Sequence, residues 1–440
     1  MLLNFSVTNY GCINERQTLC LEAKTTDDTL LSNTFKPNKS KKQQLIRSLV
    51  MYGPNASGKS TLINALSFLE QFVVTSHKQQ IGDLIGGHLG ITPFKLSADT
   101  VGKSSEFELD LIAADGVRYI YGVACTSSHV TEEWLFAYPK GRPSKIFHRV
   151  YDTEKQQYAY KYNKEFNDAK AAEDRWEKET KNNELFLSLV VSRNNEQLRP
   201  VFNWFKNTLY IIGSSNTLTS GYTKKWCYND PLKIEKVVDF MSHADLAITA
   251  VNVTQESVTQ SISIDDLPDK MPLEVKKSII EELNARPPRT HYEARFTHQA
   301  RDTDFEMQLS EEQESDGTQR MFAFAGPWLD LIEHNRVLIV DELDASLHPL
   351  VVHQLIKLFH HQTKQDNKQA QLIFTTHDSS LLSQKILRRD QVWFLEKTHS
   401  GATDLYSLAN INDVRADGAH EKAYLNGRYG GIPFMKDLSE

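Results

Sequence analysis

Four short runs of continuous apolar residues punctuate this chain: Leu49-Val50-Met51-Tyr52, Val337-Leu338-Ile339-Val340, Leu372-Ile373-Phe374 and Val392-Trp393-Phe394-Leu395. Each is short and stops at polar residues, which predicts a buried sheet strand rather than a helix. A helix-period pattern, Val351, Leu355, Leu358 and Phe359, lies between the second and third runs, so those two read as a βαβ unit. A further helix is predicted from Lys59 to about Val74. Elsewhere the period is two. Leu3, Phe5 and Val7, then Leu19 and Leu21, alternate on either side of Asn9-Tyr10-Gly11-Cys12 and predict an antiparallel edge hairpin. Phe107, Leu109 and Leu111, a turn at Asp115-Gly116, and Tyr119, Tyr121 and Val123 continue through Trp134, Phe136 and Phe147 as an antiparallel β-subdomain.

Three stretches are less regular. Residues 27–47 are polar and read as a loop. Residues about 165 to 210 read as helical and charged, as in Ala171-Ala172-Glu173-Asp174-Arg175-Trp176-Glu177. Their apolar positions (Leu185, Phe186, Leu189, Val190, Leu198, Val201, Trp204) suit either contact with a partner or a lid packed on its own head. Residues 232–300 mix helix and strand pieces, with a turn at Pro287-Pro288-Arg289.

Composition narrows the class. The 440 residues carry a net charge of −7, which excludes a generally basic nucleic-acid coat; the lysines between Lys36 and Lys42 read as a solvated loop. No run approaches a transmembrane length and no secretion signal is visible, so a cytoplasmic protein is expected. Cys12, Cys20, Cys125 and Cys227 have no metal-ligand spacing and read as reduced thiols.

The first apolar run ends in Gly53-Pro54-Asn55-Ala56-Ser57-Gly58-Lys59-Ser60, a complete G-x-x-x-x-G-K-[ST] pattern between strand and helix. Glycines let backbone N–H groups close around phosphates, and the helix N-terminus adds positive potential. Gly53, Asn55, Ser57, Gly58, Lys59, Ser60 and Thr61 are therefore the candidate nucleotide-binding residues, Lys59 for the β- and γ-phosphates and Ser60 for Mg²⁺. The second run ends in Asp341-Glu342. An apolar strand ending in adjacent acids suits a metal carboxylate, Asp341, and a water-orienting carboxylate, Glu342. His377, 36 residues after Asp341, closes the third run, where open α/β sheets place ligand chemistry. ATP and Mg²⁺ are the expected ligands, and an Mg-dependent ATPase the expected activity.

Ahead of the second run lies Leu309-Ser310-Glu311-Glu312-Gln313-Glu314-Ser315-Asp316-Gly317-Thr318-Gln319-Arg320. It resembles the signature loop of ABC-type ATPases. By that resemblance Ser315 and Gly317 complete the ATP site of a second subunit, Ala345, Ser346 and His348 fall in the D-loop, and His377 is the switch histidine. Ser315 also reads as a helix N-cap. The family's glutamine loop is not placed: Gln79 and Gln80 sit in a different context, and the Thr92-Pro93-Phe94-Lys95 turn, at the position expected for it, has no Gln.

The order of motifs, with Asn9-Tyr10-Gly11 and the tail Tyr424-Leu425-Asn426-Gly427-Arg428-Tyr429-Gly430, is similar to the AAA_15/AAA_21 group within the SMC/RecF/OLD kinship, most of all to the AbiLi/RloA abortive-infection ATPases and the related PARIS ATPase. The resemblance implies an α/β ABC-type P-loop ATPase head with an antiparallel β-subdomain and an inserted helical domain. Its expected divisions are 1–160, the first part of the head; 161–300, a mainly helical insertion; and 301–440, the second part of the head. It also implies a homo-oligomer, at least a head-to-head dimer, with a co-encoded effector such as a Toprim- or RloB-like nuclease, and a phage trigger or nucleic acid as further partners. The rival reading is a RecF/SMC-like clamp on DNA. In the tail, Arg428 suits a phosphate, a neighbouring chain or a structural salt bridge.

Overall fold

The computed structural model describes residues 1–37, 43–78, 89–163, 166, 170–213, 218–243, 248–258, 272–284, 289–299, 305–365, 368–383, 385–412, 414–415 and 418–433. Lys39, Lys41, Lys42, Gln79, Gln80, Pro287 and Pro288 lie outside the described residues. Contacts divide the chain into two compact units: Met1–Thr217 with Leu331–Ala345 and Leu355–Glu440, and Leu218–Asp330 with Ser346–Gln354.

Among the described residues of the first unit, two large sheets form. The first has the strand order Leu209–Ile212, Val337–Val340, Gln371–Thr375, Ser48–Tyr52, Val392–Lys397, Thr403–Ser407. All neighbours in it are parallel except the final pair. Its central strands are buried at every position, which is why they read as unbroken apolar runs. Their register, with Val340 beside Phe374 and Thr375 beside Met51, brings Asp341, Thr376 and Tyr52 to one end of the sheet.

The second sheet is antiparallel and seven-stranded, in the order Gln157–Tyr162, Ser144–Asp152, Val130–Tyr138, Arg118–Cys125, Ser105–Ile112, Leu2–Thr8, Gln17–Cys20. Leu109 pairs with Tyr121, as the alternating pattern requires. The Lys59–Thr75 helix shares one apolar core with both sheets, through Leu62, Leu66, Leu69, Phe5, Phe107, Tyr121, Ile339 and Ile373. This is an α/β fold in which a mostly parallel sheet is joined to an antiparallel β-subdomain.

The antiparallel hairpin expected at the start of the chain forms at one margin of this sheet, with Gln17–Cys20 outermost and Leu2–Thr8 paired on both sides. Alternation reports a half-buried strand, not the number of its neighbours. Residues 27–47 are more than a loop, since Thr34–Phe35 and Leu45–Ile46 pair as a short ribbon with Phe35, Leu45 and Ile46 buried. Two-residue strands are too short to leave a period. Finally, Leu185, Phe186, Val190, Leu198, Val201 and Trp204 are spent in the core of the first unit itself, so of the two readings of that stretch the lid-like one is observed.

In the second unit, the helices Gly221–Cys227 and Pro231–Ser242, the antiparallel strands Ile248–Val258, Arg289–Gln299 and Glu306–Ser310, and the helix Leu273–Asn284 accompany most of the long helix Asp316–Glu333. Pro327 lies inside that long helix and cannot donate to the carbonyl of Ala323. Thr223 fills the gap: its hydroxyl donates to Ala323 O at 3.0 Å and accepts from Gly326 N at 3.0 Å. A Cβ on Gly326 would strike Thr223, so this approach requires glycine. Among the described residues no helix is long and apolar enough to cross a membrane.

Candidate functional site

The phosphate loop follows the central strand Ser48–Tyr52 and runs into the Lys59–Thr75 helix. Two of its residues take left-handed backbone, Ala56 with φ 62° and Gly58 with φ 115°. A Cβ on Gly58 would meet the Thr403 side chain and the Cys12 sulfur, and one on Gly53 would meet the Leu395 carbonyl and Ser57. Close approach requires glycine at both positions, and at Gly58 the positive φ requires it as well. Lys59 is 7% exposed, and its Nζ donates to the carbonyls of Gly53 at 2.5 Å and Pro54 at 3.2 Å. Burial lowers its pKa, against the pull of Asp341, Glu342 and Asp344. Ser57 is buried, and its Oγ has no hydrogen-bond partner among the described residues.

The acidic pair sits on the neighbouring strand ends. Asp341 is buried, and its Oδ1 accepts the Thr375 hydroxyl at 2.7 Å. The same hydroxyl oxygen accepts Glu342 N at 2.7 Å. Glu342 takes φ 57°, a left-handed conformation that costs a non-glycine residue about 1–2 kcal/mol. His377 N donates to Asp344 Oδ2 at 3.1 Å.

One cavity of about 950 Å³ gathers these groups: Asn55, Ser57, Gly58, Lys59, Ser60, Thr61, Glu342 and His377 all line it. Gly53 and Asp341 stand immediately behind, as the residue before lining Pro54 and the residue before lining Glu342. The residues fit both expected ligands. The loop offers a glycine cradle, a buried hydroxyl and an ammonium to phosphates. For Mg²⁺ it offers the Ser60 hydroxyl and the Asp341 carboxylate. Among the described residues no group of three or more His, Cys, Asp or Glu could hold a metal alone.

The rest of the lining comes from Gly11, Cys12, Thr92, Phe94, Lys95, Leu96, Lys397 and Gly401; sequence reasoning singled out the Asn9–Cys12 and Thr92–Lys95 turns but missed Leu96, Lys397 and Gly401. Asn9 adopts φ 53°, and its Nδ2 reaches the carbonyls of Thr100, Lys103 and Ser104 at 3.0–3.2 Å while its Oδ1 accepts Phe94 N at 3.0 Å. Gly11 N donates to Thr92 O at 2.7 Å. The turn thereby fixes Thr92 to Leu96 against the cavity, with no glutamine among them.

The residues that resemble a signature and a D-loop lie in the second unit apart from Ala345, which ends a segment of the first. Ser315 caps the Asp316–Glu333 helix, accepting Thr318 N at 3.2 Å. It is exposed, and Gly317 half-exposed. A Cβ on Gly317 would lie 3.4 Å from the carbonyl of Ser346, which takes φ 59°. The structure therefore brings Gly317 and Ser346 together. His348 is exposed, and its Nδ1 accepts Leu350 N at 3.2 Å.

No curated protein matches the chain in sequence. Among solved structures it is similar to an SMC head domain from Thermotoga maritima, with TM-score 0.39 and 11% identity over 92% of this chain and 98% of that one. It is also similar to the recombination mediator protein RecF with ATP (0.36, 12%, over 92% and 99%) and to an Smc head domain with coiled coil and joint from Pyrococcus yayanosii (0.39, 10%, over 97% and 99%). Residues 48–383, well over half of the chain and spanning the phosphate loop, the acidic pair and His377, match the AAA_21 family, described as "AAA domain, putative AbiEii toxin, Type IV TA system". The chain belongs to this family of AAA-type, nucleotide-binding ATPase domains.

Proposed function

We propose that the chain is an Mg²⁺-dependent ATPase that associates through its heads and controls a partner effector in abortive infection. The observation that carries the chemistry is the shared cavity: the phosphate loop, Glu342 and His377 line one wall-to-wall space. In this reading the loop amides and Lys59 hold the β- and γ-phosphates. Ser60 and Asp341 hold Mg²⁺, which supplies positive charge against the phosphate oxygens. Glu342 orients and deprotonates the attacking water, and His377 contacts the γ-phosphate. Ser315 and Gly317, with Ala345, Ser346 and His348, complete the site of a second copy.

The defence role rests on the words of the family description, on the motif order and on the tail motif Tyr424–Gly430, which resemble the abortive-infection ATPases. The test is the native mass of Glu342→Gln with ATP and Mg²⁺, with and without the product of the neighbouring gene. A stable complex with that product supports the reading. ATP-driven dimers that ignore it and bind DNA would replace it with a repair-type clamp.

A further inference from the structure

The tail motif has a structural role that the ATPase site does not absorb. Arg389, Arg415, Lys422 and Arg428 line one cavity of about 1000 Å³, together with Asn412, Asn426 and Tyr429. It shares no lining residue with the phosphate-loop cavity. No carboxylate occurs among its described lining residues; Asp413 and Asp417 lie outside the described residues. Arg389 is held by Asp27 at 3.3 Å and by the Val414 carbonyl at 2.6 Å. Arg415, Lys422 and Arg428 are exposed, and among the described residues none of them makes an ion pair. The salt bridge considered for Arg428 is therefore not what is observed.

The cavity is built rather than incidental. The His420–Leu425 helix ends in a Schellman turn: Gly427, at φ 75°, donates its N–H to Tyr424 O at 2.8 Å, and Arg428 N donates to Ala423 O at 2.9 Å. The Arg428 backbone makes the turn, which leaves its guanidinium for other use. Tyr424 stacks on Phe394 at 5.4 Å and donates to Gly431 O at 2.9 Å, and Tyr406 donates to Tyr429 O at 2.8 Å. These bonds fix the tail on the last strands of the parallel sheet.

Three exposed cations, with the Asp27-paired Arg389 beside them, line one space in a chain of net charge −7, which favours a ligand that brings several negative charges close together. Three of the four are guanidinium groups, whose planar donor forks match phosphate oxygens in pairs. The volume is close to that of the cavity around the phosphate loop, about 950 Å³, and Asn412 and Asn426 add neutral donors and acceptors. We propose that this cavity is a second phosphate-binding site, taking the adjacent phosphate groups of a nucleotide or of a nucleic-acid strand.

The test uses the full chain carrying Lys59→Ala, so that the first cavity contributes little. Titrations follow ATP and, separately, a short fluorescein-labelled single strand, each at low and high salt. We expect at least one probe to bind with salt-sensitive affinity, and Arg415→Gln/Lys422→Gln/Arg428→Gln to weaken it by about tenfold or more. Binding of ATP alone identifies a nucleotide as the source; binding of the strand alone identifies nucleic acid. The same triple substitution on the otherwise native chain should leave ATP hydrolysis unchanged and shows that the exposed positions tolerate glutamine. Equal binding by the parent and triple-substituted chains overturns the proposal, as does polyglutamate binding as tightly as either phosphate probe. Neither outcome depends on whether Glu342 is catalytic.

Discussion

Thr403 donates its hydroxyl to the main-chain carbonyl of Ser57, 2.8 Å away, so the last hairpin of the parallel sheet holds the phosphate loop from behind. The same hydroxyl lies 3.1 Å from Cys12 Sγ and 3.3 Å from Lys397 Nζ. Thr403 is 2% exposed, so its removal leaves the Ser57 carbonyl without a substitute from water. Thr403→Val keeps the shape and deletes the donor. We expect a cost of about 1 kcal/mol, roughly a fivefold weaker ATP affinity, with the fold retained. Calorimetric titration with ATP checks it; unchanged affinity would show that the loop holds its shape without this bond.

Thr375 positions both acids at once, by donating to Asp341 and accepting from Glu342 N. Its hydroxyl also helps secure Glu342 in the left-handed conformation that turns the chain after Asp341. Thr375→Val should lower kcat by roughly tenfold or more, the cost of a displaced general base, with a smaller effect on ATP binding. Thr375→Ser should restore most of the rate. Equal rates for the valine and serine variants would remove Thr375 from any positioning role.

How much of this was legible in advance depends on the range of each interaction. The loop Gly53–Ser60, the Asp341-Glu342 pair and His377 were readable because each chemical role needs a fixed local order of residues. The four apolar runs were readable because burial on both faces leaves no polar period. Lys397 in the cavity and Thr403 behind the loop were not readable. Both depend on strand order, which places Val392–Lys397 beside the phosphate-loop strand although more than 300 residues separate them in the chain. Asn9 carried a visible signal, a polar break in an alternating strand, but only the fold reveals that its amide holds Phe94 and the carbonyls of Thr100 to Ser104.

The stretch after the β-subdomain is pinned by a buried charge. Glu133 is fully buried and accepts Phe186 N at 2.7 Å and Leu187 N at 3.0 Å, at the start of the Phe186–Ser192 helix. Arg149, also fully buried, lies 3.7 Å from it, donates to the carbonyls of Glu184 and Lys181, and stacks 3.8 Å over the Tyr158 ring. Glu133→Ala should destabilise the first unit by about 3–5 kcal/mol, because it leaves the Arg149 charge buried without its partner. Adding Arg149→Met should recover part of that loss. Denaturant unfolding of the four members of the cycle measures it; additive losses would mean the two side chains act separately.

Acid should weaken the fold through His360. It is buried, shares a 2.8 Å hydrogen bond with Ser48 Oγ at the foot of the phosphate-loop strand, and Gln391 Nε2 donates to the same oxygen at 2.8 Å. Burial, with the nearby Arg47 charge, lowers its pKa from 6.5 to about 3. The unfolded chain therefore binds a proton below pH 6.5 that the folded chain refuses until about 3. Stability is full above that window and falls on acidification through it, by up to about 1.4 kcal/mol per pH unit from this group. His360→Gln should flatten the dependence just below pH 6.5. An unaltered slope would assign the acid sensitivity to other groups.

Cys12 offers a direct report of nucleotide occupancy. It lines the phosphate-loop cavity, with Sγ 3.2 Å from Thr61 Oγ1. Burial raises its pKa, but hydrogen bonding with Thr403 and Thr61 and the charge of Lys397 outweigh that and hold the thiol below its ordinary range. Burial instead pushes Cys20 and Cys125 up, and Cys227 up to about 12. The thiolate is the reactive form, so iodoacetamide near neutral pH should alkylate Cys12 well before the other three. ATP with Mg²⁺ should slow that reaction by roughly tenfold or more, the effect of keeping the site almost fully occupied, and Lys59→Ala should abolish the protection. Peptide mass mapping over time reads all four cysteines in one sample. If ATP leaves the Cys12 rate unchanged while calorimetry shows it bound, the nucleotide does not cover Cys12.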